Sequence, residues 1–315
     1  MRKLVTKKQF NCPLCHGMST HLFSGLIDRL KTVESVYDID ICSNCSLAFT
    51  NPLPTKNLDV LYPKNYLLPN KSFISKLFLY YRNDQYRFDF ELLEKATNIP
   101  TVKLTSMLDV GCGSGERVAY ARDRGIPRVM GIDKYDNTIG RLNRNIVNSE
   151  LTTYIPKRKY QIVSLFHVLE HLDNPHVNLS HIRTHYLRHD GYLVIQVPNF
   201  DSLERRLFER RWFSFDVPRH LWHFDEKSLC ILLERSGFSV IKTFKKNALL
   251  HPVTIAPSIY KNADPQRIWS VNSGSKIVGY LSWVALTILT IPLGILQSIM
   301  ARGSMLTVVA KAEER

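Results

Sequence analysis

At 315 residues and 44% hydrophobic, the chain can bury a full core and carry an accessory domain, which excludes a small disulfide-stapled scaffold. Its formal charge of +14 favours an anionic partner, nucleic acid or the anionic face of a membrane, without choosing between them. Of its six cysteines, four fall in two C-x-x-C pairs and two stand alone, so a reducing, cytosolic setting is expected.

Met1 to Phe10 is basic but lacks the apolar core of a signal peptide, so no secretion is expected. Cys12-Pro13-Leu14-Cys15 and Cys42-Ser43-Asn44-Cys45 form two tight turns separated by 26 residues. Four thiolates in this arrangement match a closed, tetrahedral zinc site of the structural kind. In a segment with little core, metal binding supplies much of the folding free energy. His16 reads as a bystander, and Asn51-Pro52-Leu53-Pro54 as the exit from a zinc-ribbon-like module spanning 1–55. From Lys71 to Ala96, Phe73, Leu77, Tyr80, Tyr81, Phe88 and Leu92 recur at helical spacing. That predicts one or two helices in a linker over 56–100 that leads into the next domain, with the aromatics read first as core.

A cofactor domain over 101–247 is expected from Leu108-Asp109-Val110-Gly111-Cys112-Gly113-Ser114-Gly115, where an apolar strand breaks into glycines at alternate positions. Glycine turns with φ > 0 and lets a ligand lie against bare backbone. The helical segment that follows, Glu116 to Arg124, presents unpaired N–H groups to an anion. Asp133 ends the next apolar run, where an acidic group meets ribose hydroxyls. A glycine-rich turn without ligand is the alternative, and the spacing departs from the dinucleotide pattern G-x-G-x-x-G. After a polar helical stretch, Ile162 to Leu169 reads as a buried central strand. Asn174 and Pro175 then cap a helix reaching about Arg188. Asp190-Gly191 is its turn, and Tyr192 to Val197 the next strand. The strand–helix–strand repetition means a parallel sheet with right-handed crossovers.

His181, His185 and His189 repeat every fourth residue and read as one solvated helix face. His167, Glu170 and His171 instead gather three potential ligands at the carboxyl end of a central strand, where open α/β sheets carry their sites. Trp212 to Phe224 mixes aromatics with Arg219 and His220, and both packing under a substrate lid and sugar stacking fit. From Ile277 to Ala301, 25 residues carry no formal charge, a length that permits a membrane span. Pro292 and Gly294 interrupt the run, and Ser304 to Lys311, within the tail 304–315, reads as a last strand pairing with Phe238 to Phe244. The chain must then return to the side it left. The apolar insertion, 248–303, is therefore expected to be re-entrant or interfacial, with Lys245, Lys246, Lys276, Arg302 and Lys311 marking two cytoplasmic ends. A buried helical pair or a dimer interface is the alternative.

The runs LDVGCGSG, GID, FHVLEHLDNP, DGYLVIQVPN, DVPRHLWHF and LLERSGF, over roughly Met107 to Phe244, resemble the class I S-adenosylmethionine (SAM)-dependent methyltransferases. That family includes ubiquinone-pathway and glycan O-methyltransferases. The resemblance implies a Rossmann-like α/β domain with a seven-stranded sheet. It implies that Asp109, Gly111, Gly113 and Gly115 line the SAM pocket, that Asp133 binds the ribose, and that Phe166 and His167 flank the sulfonium. For the segment over 56–100 it implies a lid over the cofactor. Some O-methyltransferases of similar fold carry E-x-x-E-H where this chain has His167-x-x-Glu170-His171, and hold a divalent cation there with a later histidine, here His220. Histidine at 167 departs from that pattern and favours a softer transition ion over magnesium. A metal-free site in which His171 orients the loop and Glu170 is structural is the alternative.

SAM carries an activated methyl group, so the protein aligns a nucleophile, and a hydroxyl nucleophile must also lose a proton. His171 and His220, with His167, are the candidate catalytic groups, ahead of His223. The expected function is bacterial O-methylation of a glycan, a lipid-linked saccharide or another membrane-associated molecule, by a protein peripheral or monotopic at the inner membrane face. An RNA methyltransferase using the zinc module and basic surface is the second reading, although no recognisable RNA-binding domain appears. A non-catalytic binding protein of the same fold is the third.

Overall fold

The structure is a computed structural model and describes residues 10–54, 58–62, 73–135, 145–246, 254–270 and 276–313. The basic amino-terminal residues 1–9 and most of the polar stretch expected after Asp133 lie outside them.

The cysteine-bearing segment folds as an antiparallel meander of β1 (Phe10–Asn11), β2 (Met18–Ile27), β3 (Val36–Cys42) and β4 (Ala48–Asn51). So small a sheet needs a second surface to bury its apolar face. The cofactor domain provides it. A two-residue strand, β10 (Trp222–His223), adds to the edge of β4, pairing Trp222 with Phe49 and His223 with Ala48. Cys12, Cys42, Cys45, Leu47 and Phe49 accordingly share one hydrophobic cluster with Leu221, Trp222 and the central sheet.

A short 3₁₀ turn, Leu58–Leu61, precedes a single 25-residue helix, α1 (Phe73–Thr97). The second sheet contains β5 (Ser106–Val110), β6 (Arg128–Asp133), β7 (Ile146–Asn148), β8 (Tyr160–Phe166), β9 (Leu187–Pro198), β11 (Phe238–Phe244) and β12 (Met305–Ala312). Their order across it is β7-β6-β5-β8-β9-β12-β11. Strands β5 to β9 run parallel, and β12 is antiparallel to both its neighbours. Successive residues of β5 serve opposite faces, as the period of two requires. Leu108 and Val110 pack with Leu179 and Ile182 of the α3 region (α3, Pro175–His181) and with Leu229 and Leu232 of α5 (Glu226–Arg235). Met107 packs instead with Phe90 and Leu93 of α1 and Val118 of α2 (Glu116–Asp123). Burial on both faces is what a central parallel strand demands.

The expected caps are present: Asn174 accepts from the Val177 amide, with Pro175 at the first position of α3. The helix is shorter than expected. It widens into one π turn over Ile182–Tyr186, and β9 begins at Leu187 rather than Tyr192. Asp190-Gly191 is therefore inside the strand, at a shift of register against β8, and His189 stands on β9 rather than on the helix face of His181 and His185. A Cβ at Gly191 would lie 2.7 Å from the Gln161 carbonyl oxygen, so only glycine admits this close strand approach.

The last strand pairs with Phe238 to Phe244 as expected, with Val240 opposite Ala310. Between them the insertion contributes α6 (Ile255–Ile259), α7 (Pro265–Ser270), α8 (Lys276–Leu289) and α9 (Ile291–Ile299). Its ends meet, because the Gly303 amide donates to the Lys245 carbonyl at 3.1 Å. Ala256, Ala263, Ile268 and Trp283 form a small core of its own. No single helix among the described residues is long and apolar enough to cross a membrane; Ile277–Leu289 and Ile291–Ile299, bent by 44°, reach that length only together.

Candidate active site

The carboxyl ends of β5, β6 and β8 converge at the glycine loop. Gly111, Gly113 and Gly115 all have positive φ. A Cβ on Gly111 would sit 2.4 Å from Val168 Cγ2, so this position is closed to any side chain. Asp133 holds the loop from the tip of β6: its Oδ2 accepts from the Gly113 amide at 2.8 Å and its Oδ1 from the Tyr135 amide at 2.9 Å. Burial raises its pKa, against those two amides.

Asp109 is buried at the end of β5 and accepts from Ser164 Oγ at 2.6 Å. Desolvation pushes its pKa up to about 6, although the Arg117 charge and the Ser164 hydroxyl oppose the rise. Arg117, in the first turn of α2, was not a sequence candidate. Its guanidinium stacks 3.4 Å from the Phe166 ring centroid, lies 4.0 Å from Asp109 Oδ2, and pairs with Asp89 of α1. Gln196 Nε2 on β9 donates to Asp89 Oδ1 at 2.8 Å and extends the network. Phe166 is thus engaged by a cation, and α1 is pinned to the start of α2 and the end of β5.

Beyond β8, His167 adopts φ +58° and is followed by a 3₁₀ turn over Leu169–His171. The turn carries Glu170 inward and His171 towards the Arg219–His220 segment. One donor atom each of Glu170, His171 and His220 lies within 4.8 Å of the others, and the two imidazole centroids are 4.6 Å apart. His167 stays outside this trio, half-exposed, with Nδ1 3.5 Å from Glu170 Oε1. Glu170 is fully buried, and neither carboxylate oxygen has a hydrogen-bond partner. Burial would raise its pKa, but the neighbouring His167, His171 and His220 outweigh it and hold it at about 2.

The tautomers follow from the acceptors. His171 Nδ1 lies 2.9 Å from the Arg219 carbonyl and 3.1 Å from the Tyr62 hydroxyl, and His220 Nδ1 lies 2.7 Å from the Ser214 carbonyl. A carbonyl only accepts, so each Nδ1 carries the hydrogen and each neutral ring keeps its lone pair on Nε2. Desolvation, with the neighbouring His171, lowers the His220 pKa to about 4, so it is neutral near pH 7. His223 is buried, with Nε2 3.2 Å from Thr50 Oγ1, and desolvation lowers its pKa to about 3. It belongs to the packing beneath the site.

At the module, Cys12 Sγ lies 3.5 Å from Cys45 Sγ and Cys15 Sγ 3.4 Å from Cys42 Sγ, all four within 4.8 Å. Tetrahedral zinc with ~2.3 Å Zn–S bonds sets sulfurs ~3.8 Å apart, which this cluster accommodates. The two knuckles repeat one geometry. His16 and Ser46 both take φ +61°, and their amides donate to the carbonyls of Cys12 and Cys42. The Leu14 and Asn44 amides point at the Cys12 and Cys42 sulfurs.

The family described as "Methyltransferase domain" matches residues 75–243, more than half of the chain. The chain belongs to that family. This methyltransferase is 24% identical over 244 residues to a tRNA U34 carboxymethyltransferase of Colwellia psychrerythraea, covering 72% of this chain and 73% of that protein. Among solved structures, a SAM-dependent methyltransferase from Archaeoglobus fulgidus is 22% identical, covering 67% of this chain and 87% of its own, with a TM-score of 0.43. Coclaurine N-methyltransferase bound to N-methylheliamine and SAH is 14% identical, covering 78% and 76%, with a TM-score of 0.46. SAM is the methyl donor expected of this methyltransferase fold. Asp109, the three glycines and Asp133 lie at the carboxyl edge of the parallel strands, where open α/β sheets carry their ligands.

Proposed function

We propose that this methyltransferase transfers the SAM methyl group to a hydroxyl of a glycan, lipid-linked saccharide or other membrane-associated acceptor. The observation that carries the O-methyl reading is the His171–His220 pair. Two imidazoles, each with its Nδ1 hydrogen committed to a carbonyl, lie beside the glycine-loop edge and leave Nε2 as the nitrogen able to accept a proton. His171 is the general base and His220 its partner; His167 flanks the cofactor end. The buried, unpartnered Glu170 carboxylate argues further for a cation at this point. Glu170, His171 and His220 form a mixed carboxylate–imidazole donor set suited to a divalent transition ion. With such an ion bound, the His171 lone pair would be a ligand and the ion, in place of the imidazole, would promote loss of the hydroxyl proton. The four cysteines would hold zinc in a structural role.

The acceptor class is read from the insertion. Ile277, Leu289 and Ile299 are 76%, 73% and 77% exposed on α8 and α9, an apolar surface that suits the interfacial plane of a membrane. A second reading, an RNA acceptor, draws on the charge of +14 and on the tRNA substrate in the name of the Colwellia relative. Transfer of labelled methyl from SAM into lipid, glycan and RNA fractions separates the two. Incorporation into the lipid or glycan fraction, lost in His171→Ala while SAM binding persists, is the expected outcome. Incorporation into RNA alone, or near-normal turnover in His171→Ala, contradicts it.

A further inference from the structure

Arg219 is the bulkiest fully buried side chain among the described residues. A buried guanidinium persists only where its charge and its N–H groups are met. Here Nη2 donates to Asp28 Oδ1 at 2.7 Å and to Asp216 Oδ1 at 2.6 Å, Nε donates to Asp216 at 3.0 Å, and Nη1 donates to the Leu61 carbonyl at 3.3 Å. The acceptors belong to three separate stretches of chain: the loop after β2, the turn just ahead of Arg219, and the 3₁₀ turn before α1. The two groups that face His171 Nδ1 ride on the same stretches. One is the carbonyl of Arg219 itself, and the other is the hydroxyl of Tyr62, the residue after Leu61. The next peptide is held as well, since Thr50 Oγ1 on β4 donates to the His220 carbonyl at 2.7 Å.

We propose that Arg219 is the positioning residue of the histidine pair, and that Asp28 and Thr50 make the cysteine module part of the active site. The inference takes its meaning from the reading of His171 as base, but its test does not require methyl transfer. A planar fork with five donors can hold three stretches at once, which the point charge of a lysine cannot. With the Arg219 carbonyl fixed, His171 keeps its hydrogen on Nδ1 and its lone pair on Nε2. Asp28 is itself locked in place by the Leu30 and Thr32 amides at 2.9 and 2.6 Å, so the module offers a rigid counter-ion. Arg29, the neighbour of Asp28, shares Asp216 with Arg219 and pairs with Asp264 at the start of α7, which ties the insertion to the same cluster.

The test is nitrogen NMR of protein labelled at histidine, with the His171 signals assigned through His171→Gln. In the unaltered protein at about pH 8, His171 should be the Nδ1–H tautomer. In Arg219→Lys it should become a mixture of both tautomers, while calorimetry finds S-adenosylhomocysteine affinity within about twofold. Asp28→Asn leaves Asp216 to neutralise Arg219 and keeps an oxygen for the Leu30 amide and Arg219 Nη2, so it is the second variant to read should Arg219→Lys fail to fold, and it should show a smaller change of the same kind. An unchanged His171 tautomer in the variants that fold overturns the proposal. If instead the tautomer changes as described and methyl transfer survives His171→Ala, the base assignment fails while the positioning role stands.

Discussion

Replacing Glu204 by glutamine should flatten the dependence of stability on pH. Glu204, in the first turn of α4 (Leu203–Phe208), is fully buried against the insertion, where it accepts from Thr254 Oγ1 at 3.1 Å and Ser258 Oγ at 3.5 Å. Desolvation outweighs these two hydroxyls and pushes its pKa from the usual 4.5 up to about 7. Between those values the folded protein keeps a proton that the unfolded chain has released, so stability falls as pH rises through the window. Each pH unit is worth ~1.4 kcal/mol, and the full window therefore removes about 3 kcal/mol. Glutamine keeps an oxygen for the Thr254 hydroxyl, presents an amide N–H to the Ser258 hydroxyl oxygen, and never ionises. Urea unfolding at about pH 5 and about pH 8 should show the unaltered protein losing at least ~2 kcal/mol more than Glu204→Gln between the two conditions. Equal losses in the two proteins would refute the argument from burial.

Asp133→Ala removes the acceptor of the Gly113 amide. Calorimetry with S-adenosylhomocysteine should show affinity reduced about tenfold or more, and a change within twofold would detach Asp133 from the cofactor. Cys42→Ser should lower bound zinc, measured by atomic absorption, from about one ion per chain towards none and reduce Tm by ~10 °C. Full zinc content in that variant would remove Cys42 from the ligand set.

What was legible in the sequence was local. The two C-x-x-C turns and the alternating glycines announce themselves by spacing, and the structure brings each set together. The pairing of Ser304–Lys311 with Phe238–Phe244 was readable from hydrophobic runs alone, as was the meeting of Glu170 and His171 at a strand end. What escaped was assembled from distant parts. Asp89, Arg117 and Gln196 come from a helix, a second helix and a strand, and no spacing rule joins them. The addition of Trp222–His223 to the cysteine module is two residues long, below any periodic signal. The end of α3 is not legible because a widened turn and an irregular strand pairing, both products of tertiary packing, replace the regular helix that propensity alone predicts.

The single hydrogen bond between Gly303 and Lys245 has an evolutionary corollary. A segment whose two ends touch is topologically a hairpin loop, so its length and content can change without disturbing the register of β11 against β12. The helices it carries could be traded for others of different surface chemistry as long as an acidic partner for Arg29 is kept in the place of Asp264. Descendants of one such scaffold would then diversify in where they dock, with the donor-binding half held constant.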